Sequence, residues 1–198
     1  MYRKYIKRIL DLGLALLLVV PVCLISFVIG CFIKLEDSGP VFYKGARLGK
    51  NRKPYKMYKL RSMKINAPDI RNSDGSTYNS IDDPRLLKIG NFIRKSSLDE
   101  LPQIFNVLKG EMSLIGPRPD LEEQGYLYDE LGKDQTKFSI KPGVTGYAQC
   151  KGRNEISWDE KLKLDHYYVD NCCFILDVKI FFLTIFNVIK RKGINKDE

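Results

Sequence analysis

The residues best suited to chemistry are two adjacent carboxylates, Asp99 and Glu100, which follow Arg94 in a chain rich in cations. A carboxylate among cations can hold a divalent metal, or attack a phosphorus atom whose negative oxygens the cations neutralise. An aspartate near its reference pKa of about 3.9 is ionised at neutral pH, so it needs no helper base. The pair therefore predicts metal binding or phosphoryl transfer.

A structural interpretation of the same pair is also open. Ser97 and Glu100 have the S-x-x-E spacing of a capping box, in which both acids occupy the first turn of a helix. Pro102 disfavours a helix that starts at Ser97, because a proline inside a helix removes a hydrogen bond and clashes with the preceding turn. The pair is therefore expected just before a helix that begins near Pro102, and such an end also favours phosphate.

Size and charge limit the class of protein. The chain has 198 residues and a formal net charge of +9, which suits one domain with a short appendage and an anionic partner. The 5 cysteines include no C-x-x-C pair, which favours neither zinc nor a disulfide framework. His166 is the single histidine and is expected to be structural, so catalysis by imidazole is disfavoured.

The N-terminal segment predicts a membrane anchor. No charged residue lies between Leu12 and Ile33, and this run of about 22 residues would form a helix of about 33 Å. Basic residues flank both ends, which favours the cytoplasmic side for both, and Pro21 breaks the hydrogen-bond ladder near the middle. Residues 1–36 are therefore expected to form a re-entrant helix-break-helix in one leaflet, with an ordinary single span as the alternative.

The rest of the chain, residues 37–198, is predicted to be one cytosolic, membrane-associated catalytic domain of the helix-rich α+β class. Residues 38–68 contain no acidic residue, and Val41–Lys44 and Tyr55–Met63 predict a small β-hairpin with Gly45 in turn or loop backbone. Lys59 and Arg61 would share one face of the second strand. There they would bind a diphosphate or anionic lipid headgroups.

Further helices are predicted at residues 104–109, 120–131, 157–169 and 174–190, where capping residues and glycines mark the ends. The last of these is strongly apolar, with a thin polar stripe that contains Asp177. Such a helix suits a position buried in protein or on a membrane surface. Residues 66–80 are polar and turn-rich, and they predict a loop.

Arg118 stands between Pro117 and Pro119, which hold its backbone away from the helical region. A guanidinium on such a stiff backbone binds phosphate oxygens in a bidentate way at low entropic cost. A structural ion pair with Asp120 or Glu100 explains the same residue equally well. Arg118 is therefore a candidate phosphate ligand with a structural alternative.

Several segments, in this order, carry a resemblance to a known family: Lys59–Met63, Arg94 with Ser97–Gln103, Asn106–Gly110, Met112–Pro119, Lys141–Gln149 and Gly152–Asn154. They resemble the bacterial sugar transferase family, the monotopic phosphoglycosyl transferases that begin bacterial glycan assembly. The resemblance extends from the N-terminal segment to about Lys192. The family commonly has a serine before the proline of its re-entrant break, where this chain has Val20.

The resemblance implies transfer of a sugar 1-phosphate from a UDP-sugar to a polyprenyl phosphate, usually undecaprenyl phosphate, with release of UMP. It implies a ping-pong reaction in which Asp99 forms a covalent phosphosugar intermediate, Glu100 assists, and Mg²⁺ binds at Asp99. The substrate site is expected to contain the following residues: Lys59, Arg94, Arg118, Arg153 and Asp177, with Arg61 as the strand neighbour of Lys59.

The resemblance also implies a location on the cytoplasmic face of the bacterial inner membrane, against a leaflet with anionic lipids. Nucleic acid is not an expected partner, and the sugar and the oligomeric state stay open. A first alternative is a glycosyltransferase that releases UDP, with a metal at Asp82 and Asp83. A second is a basic membrane-binding module without enzymatic activity.

Overall fold

Seven α-helices and four short strands make up the part of the chain that the computed structural model describes, residues 1–70, 78, 83–152 and 156–190. A π-helical turn, Tyr2–Ile6, precedes the first helix. The helices are α1 (Lys7–Glu36), α2 (Lys88–Lys95), α3 (Gln103–Lys109), α4 (Gly125–Glu130), α5 (Tyr147–Lys151), α6 (Trp158–Asn171) and α7 (Phe174–Ile189). The strands are β1 (Phe42–Leu48), β2 (Pro54–Leu60), β3 (Ser113–Ile115) and β4 (Gly143–Thr145). The α+β class with a long apolar N-terminal helix is confirmed.

The N-terminal helix is continuous. α1 contains Pro21 near its middle and keeps helical structure on both sides of it. A proline inside a helix removes one backbone donor and bends the helix, but intact turns on either side can carry the helix through. The expected division of the segment into two helices is therefore not confirmed.

One face of α1 packs against the rest of the protein. Ala15, Val22, Ile29 and Ile33 are buried, and they contribute to two hydrophobic clusters with β2, α2 and α3. The opposite face exposes large apolar side chains, such as Leu17 at 72% and Phe27 at 73%. By length and composition, Tyr2–Glu36 is the one described segment able to cross a membrane.

The predicted hairpin is present. β1 and β2 are antiparallel, with Phe42 opposite Leu60 and Leu48 opposite Pro54. The expectation that Gly45 lies in turn or loop backbone is wrong, because Gly45 is inside β1 opposite Met57. A side chain at Gly45 would begin 2.9 Å from the ring of Tyr43, so the missing side chain gives that ring its space.

Asn106 fixes the hairpin to α3. Its side chain donates to the Lys56 carbonyl at 2.8 Å and to the Glu111 carboxylate at 2.6 Å, and it accepts from the Tyr58 backbone N–H at 3.0 Å. The residue is fully buried, so each of these groups would lack water if the bond were lost. The position of β2 relative to α3 therefore depends on one amide.

A second, parallel sheet of two strands was not expected from the sequence. β3 pairs with β4, with Ser113 opposite Gly143 and Ile115 opposite Thr145. A Cβ at Gly143 would lie 2.1 Å from the backbone nitrogen of Gly116, so only glycine permits this approach. Strands of three residues are too short to show a hydrophobic period, which is why the pattern missed them.

Most predicted helices are confirmed. α3 ends at Gly110, which has a φ of 85°, and α6 begins with the predicted capping box of Ser157 and Glu160. The predicted helix at 120–131 is shorter, because a 3-10 turn at Glu122–Gln124 precedes α4. α2 and α5 were missed. The predicted loop at 66–80 lies mostly outside the described residues.

Candidate functional site

The carboxylate pair lies in a single 3-10 turn, Leu98–Glu100, between α2 and α3. Ser97 before it has a left-handed φ of 57°, and its side chain makes no capping hydrogen bond. The capping box is therefore not formed, whereas the expected helix start near Pro102 is confirmed. Leu98 packs into the cluster around Ile33 and Leu60, which holds the turn against α1 and β2.

β2 brings a cation to this turn. The Lys59 ammonium lies 2.7 Å from a carboxylate oxygen of Glu100, and both side chains are largely buried. The Asp99 carboxylate has no ion pair within the described part of the chain. Glu100 is thus fixed by a cation, while Asp99 is open to a further ligand.

Arg94 in the last turn of α2 completes the cluster. Its Nε donates to the Ser62 hydroxyl at 2.9 Å, which orients the guanidinium. Burial lowers the pKa of Arg94, and the charge of Asp99 opposes that change. Asp99 and Arg94 are therefore close enough to affect each other electrostatically.

The Asp99 carboxyl has an unusual acidity. Burial raises its pKa to about 6, the charge of Glu100 adds to this, and Lys59 and Arg94 oppose it. Removal from water disfavours the charged form of an acid, which is the dominant cause here. At neutral pH the carboxyl is mainly ionised but poorly solvated, as suits a nucleophile.

Arg61 has other contacts. Its guanidinium pairs with Asp37 at 2.8 Å and donates to the carbonyl of Pro40 at 2.6 Å. Asp37 caps the end of α1, and the Arg61 side chain is almost wholly buried. Arg61 therefore joins the end of α1 to the chain before and after the hairpin, whereas Lys59 contacts the carboxylate pair. The expectation that the two residues share one face of the second strand is wrong, because β2 ends at Leu60.

Asp177 lies in a different cluster from Asp99. Its carboxylate accepts hydrogen bonds from Lys7 at 2.6 Å, from the Tyr168 hydroxyl at 2.6 Å and from the Tyr2 hydroxyl. The Lys7 and Asp177 side chains are only 10% and 8% exposed. The cluster joins the start of α1 to α6 and α7, a structural function that the sequence did not reveal.

Neither ion pair considered for Arg118 is found among the described residues. Asp120 lies 3.0 Å from Lys137, and Glu100 pairs with Lys59. Arg118 is exposed in the loop after β3. Arg153, the remaining predicted substrate residue, lies outside the described residues.

The structure places a further cation, Arg47, near the loop that contains Arg118. Arg47 is opposite Tyr55 in the hairpin, and the backbone of β1 reaches the loop through a hydrogen bond from Leu48 to Asp120 at 3.0 Å. In the sequence, Arg47 was one of many cations between residues 38 and 68. What distinguishes it is a buried Nη1 atom without a hydrogen-bond partner among the described residues, and this depends on tertiary contacts.

Oxygen ligands for a magnesium ion are available at the carboxylate pair. Mg²⁺ is usually bound by one or two carboxylates together with waters and substrate phosphates. No group of three or more His, Cys, Asp or Glu residues that could hold a metal is found within residues 1–70, 78, 83–152 and 156–190. Asp99 would offer carboxylate oxygens to such an ion, with Glu100 beside it, and waters and substrate phosphates would supply the other ligands.

Asp83, considered as a metal ligand in the first alternative, has other contacts. Its carboxylate is held by Arg85 at 2.7 and 2.8 Å and is buried. Asp82 lies outside the described residues. The geometry of Asp83 therefore gives no support to a metal there.

The sequence of the chain matches a known class of protein. The sequence model of the bacterial sugar transferase family matches residues 2–191. The chain therefore belongs to the bacterial sugar transferase family, and the resemblance inferred from its motifs is confirmed.

Individual relatives support the same conclusion. The chain is 44% identical to the uncharacterized sugar transferase EpsL of Bacillus subtilis strain 168, and the matched region covers 96% of this chain and 91% of the relative. It is 37% identical to the UDP-galactose-lipid carrier transferase of Erwinia amylovora, in a match that covers 96% of this chain and 42% of that relative. It is 38% identical to the UDP-glucose:undecaprenyl-phosphate glucose-1-phosphate transferase of Escherichia coli strain K12, in a match that covers 92% of this chain and 40% of that relative. The chain thus spans less than half the length of the last two.

Proposed function

We propose that this protein transfers a sugar 1-phosphate from a UDP-sugar to a polyprenyl phosphate, usually undecaprenyl phosphate, and releases UMP. The observation that carries the proposal is the turn at Asp99, where a carboxylate that has no ion pair among the described residues lies close enough to Lys59 and Arg94 for their charges to act on it. Two relatives whose names specify transfer to a lipid carrier or to undecaprenyl phosphate support the substrate class.

In the first step, a carboxylate oxygen of Asp99 attacks the β-phosphorus of the UDP-sugar. The bond from that phosphorus to the bridging oxygen breaks, and UMP leaves with the bridging oxygen. The product is a mixed anhydride between Asp99 and the sugar phosphate. Lys59 and Arg94 favour this step because they neutralise the charge that would otherwise repel an anionic nucleophile.

In the second step, a phosphate oxygen of the polyprenyl phosphate attacks the same phosphorus, and the Asp99 carboxylate leaves. The anhydride keeps the energy of the diphosphate bond, so the transfer needs no other energy source. Glu100, held by Lys59 at 2.7 Å, assists by positioning the acceptor. Mg²⁺ bound at Asp99 would neutralise charge on the phosphate oxygens.

UMP release tests this function directly. Purified protein, undecaprenyl phosphate and Mg²⁺ are incubated with a panel of UDP-sugars, and the nucleotide products are separated. We expect UMP with at least one donor, together with a lipid diphosphate sugar. Without the acceptor, we expect about one UMP per enzyme, because the aspartyl intermediate accumulates.

The products distinguish the alternatives. UDP without UMP would show transfer of the sugar alone and would overturn the proposal. UMP that forms only in the presence of the acceptor would contradict the covalent intermediate and leave a direct transfer.

We also propose that both ends of α1 face the cytoplasm, with the helix in the inner leaflet of the bacterial membrane. Near its start, Arg8 donates to the Val107 carbonyl at 2.6 Å, and Asp11 accepts from the Ser113 hydroxyl at 2.7 Å. At its end, Glu36 accepts from the backbone N–H of Lys88 at 2.6 Å. Because both ends of α1 contact the same domain, a helix that crossed the membrane would place part of that domain on each side of it.

Cysteine labelling tests the topology. Lys4→Cys and Ser38→Cys are introduced separately into an active variant without natural cysteines, and a membrane-impermeant maleimide is added. We expect both positions to react in inverted vesicles and neither in intact spheroplasts. Reaction of one position from each side would establish an ordinary span and contradict the proposal. Labelling after detergent is the control for reactivity.

A further inference from the structure

Two buried donors in the hairpin have no acceptor. The Nη1 atom of Arg47 and the hydroxyl of Tyr55 are removed from solvent and make no hydrogen bond in the described structure. A buried polar group without a partner loses its hydrogen bonds to water and gains none in return, so such groups are rare unless a ligand satisfies them. Arg47 and Tyr55 are directly opposite each other in the β1–β2 pair. Side chains at such positions are neighbours on the same face of the sheet, so the two donors lie close together.

A second guanidinium lies beside them. The charge of Arg118 lowers the pKa of Arg47, after burial as the larger cause. Arg118 has no hydrogen bond or ion pair of its side chain in the ranges that the structure covers. Two guanidinium groups that repel each other in a partly buried place are stabilised by a shared anion.

The nearest carboxylate does not serve as that anion. Asp120 accepts a hydrogen bond from the Tyr128 hydroxyl and lies 3.0 Å from the buried ammonium of Lys137. Lys137 also contacts Asp165 at 3.0 Å. Asp120 is therefore held mainly by this separate network. Its charge offsets the effect of burial and of Arg118 on the pKa of Arg47 only in small part, so the positive charge at Arg47 and Arg118 is incompletely compensated.

Tyr55 lies on the same face of β2 as Lys59, which contacts the carboxylate turn. Residues two apart on a strand share a face, so Tyr55, Met57 and Lys59 point the same way. Met57 is buried in the core, which makes this the inner face. Lys59 at its end contacts Glu100, and Tyr55 is four residues away, a distance of about 13 Å along the strand.

We infer that Arg47, Tyr55 and Arg118 form a phosphate-binding site that holds a phosphate group of a substrate on the inner face of the hairpin, about 13 Å along β2 from Lys59. Phosphate oxygens would accept from both guanidinium groups and from the Tyr55 hydroxyl, and this would satisfy the buried donors. Both the UDP-sugar and the polyprenyl phosphate carry this chemistry. The binding of phosphate is independent of the transfer reaction, whereas its use for either substrate rests on the proposed function.

Direct binding measurements test the inference. Full-length protein in lipid nanodiscs is titrated with UDP and, separately, with undecaprenyl phosphate, for the wild type and for Arg47→Gln and Tyr55→Phe. We expect Arg47→Gln to weaken binding of at least one ligand by about 10- to 100-fold, because a charge-assisted hydrogen bond is lost. Tyr55→Phe should weaken the same ligand by a smaller factor. Weaker binding of UDP would assign the site to the donor, and weaker binding of undecaprenyl phosphate to the acceptor.

Lys53→Gln is the matched control, because it removes one exposed cation from the same hairpin. We expect it to keep both affinities within about twofold, as screened surface charges do. Arg47→Gln should unfold at the wild-type temperature or above it, because a buried positive charge is replaced by a shorter, neutral side chain. Affinities of Arg47→Gln equal to the wild type for both ligands would overturn the inference. If the wild type binds UDP through Arg47 but releases no UMP, the binding site stands and the proposed function fails.

Discussion

Asp99→Asn is expected to reduce sugar-phosphate transfer by at least about 10³-fold, because the amide cannot form the anhydride. Incubation of the wild type with the donor alone should add the mass of a sugar phosphate to the protein, and the variant should show no such adduct. Intact-mass spectrometry and UMP release measure the two effects. Glu130→Gln, which neutralises an exposed carboxylate on α4, is the matched control.

The same variant should be more stable than the wild type above pH 6. The folded-state pKa of Asp99 is raised to about 6, so between pH 4 and 6 the folded protein binds more protons than the unfolded chain. Stability therefore falls as pH rises through this range. We expect Asp99→Asn to gain about 1 to 3 kcal/mol at pH 8 and to lose this advantage as pH falls towards 4.

These two effects separate a catalytic from a structural function of Asp99. If Asp99→Asn loses activity while its stability is unchanged or higher, the result supports Asp99 as the nucleophile. Transfer above one-tenth of the wild-type rate would show that another group attacks the phosphorus. A variant that unfolds at a lower temperature at pH 8 would contradict the burial effect on the pKa.

Asp177→Ala is expected to lower the free energy of unfolding by about 3 to 5 kcal/mol, because it leaves the buried Lys7 ammonium without its partner. The Tyr2 hydroxyl would lose its acceptor as well, and the Tyr168 hydroxyl would keep only the Ile115 carbonyl at 3.2 Å. Thermal unfolding in lipid nanodiscs measures the effect. Limited proteolysis should show release of the start of α1, since this cluster holds it to α6 and α7.

A control and a rescue distinguish this from a substrate function of Asp177. Lys133→Ala breaks an ion pair between side chains that are 30% and 61% exposed, and it should cost under about 1 kcal/mol. Replacing the buried pair together, as Lys7→Met with Asp177→Leu, should recover part of the lost stability. Asp177→Asn that keeps the wild-type unfolding temperature but loses turnover would instead support the substrate-binding prediction.

The sequence alone predicted the features that depend on local residues and their order. The apolar run before Lys34, the hairpin, and the helices that end at Gly110 or begin at Ser157 each have a pattern or a capping residue that acts within a few positions. The Asp99 and Glu100 pair was found for the same reason, since two neighbouring acids among cations are visible in the chain. Membership of the family followed from motifs in order.

Only the tertiary structure decided which charges meet. Arg61 and Lys59 are two residues apart on the chain, yet Arg61 binds Asp37 while Lys59 binds Glu100. Asp177 meets Lys7 across 170 positions, and the buried donors of Arg47 and Tyr55 are defined by what surrounds them. Partner choice and burial depend on packing between distant segments, and a local pattern carries no record of that packing. The sequence therefore determined the reactive carboxylate and its class of chemistry, and the fold determined which cations serve it.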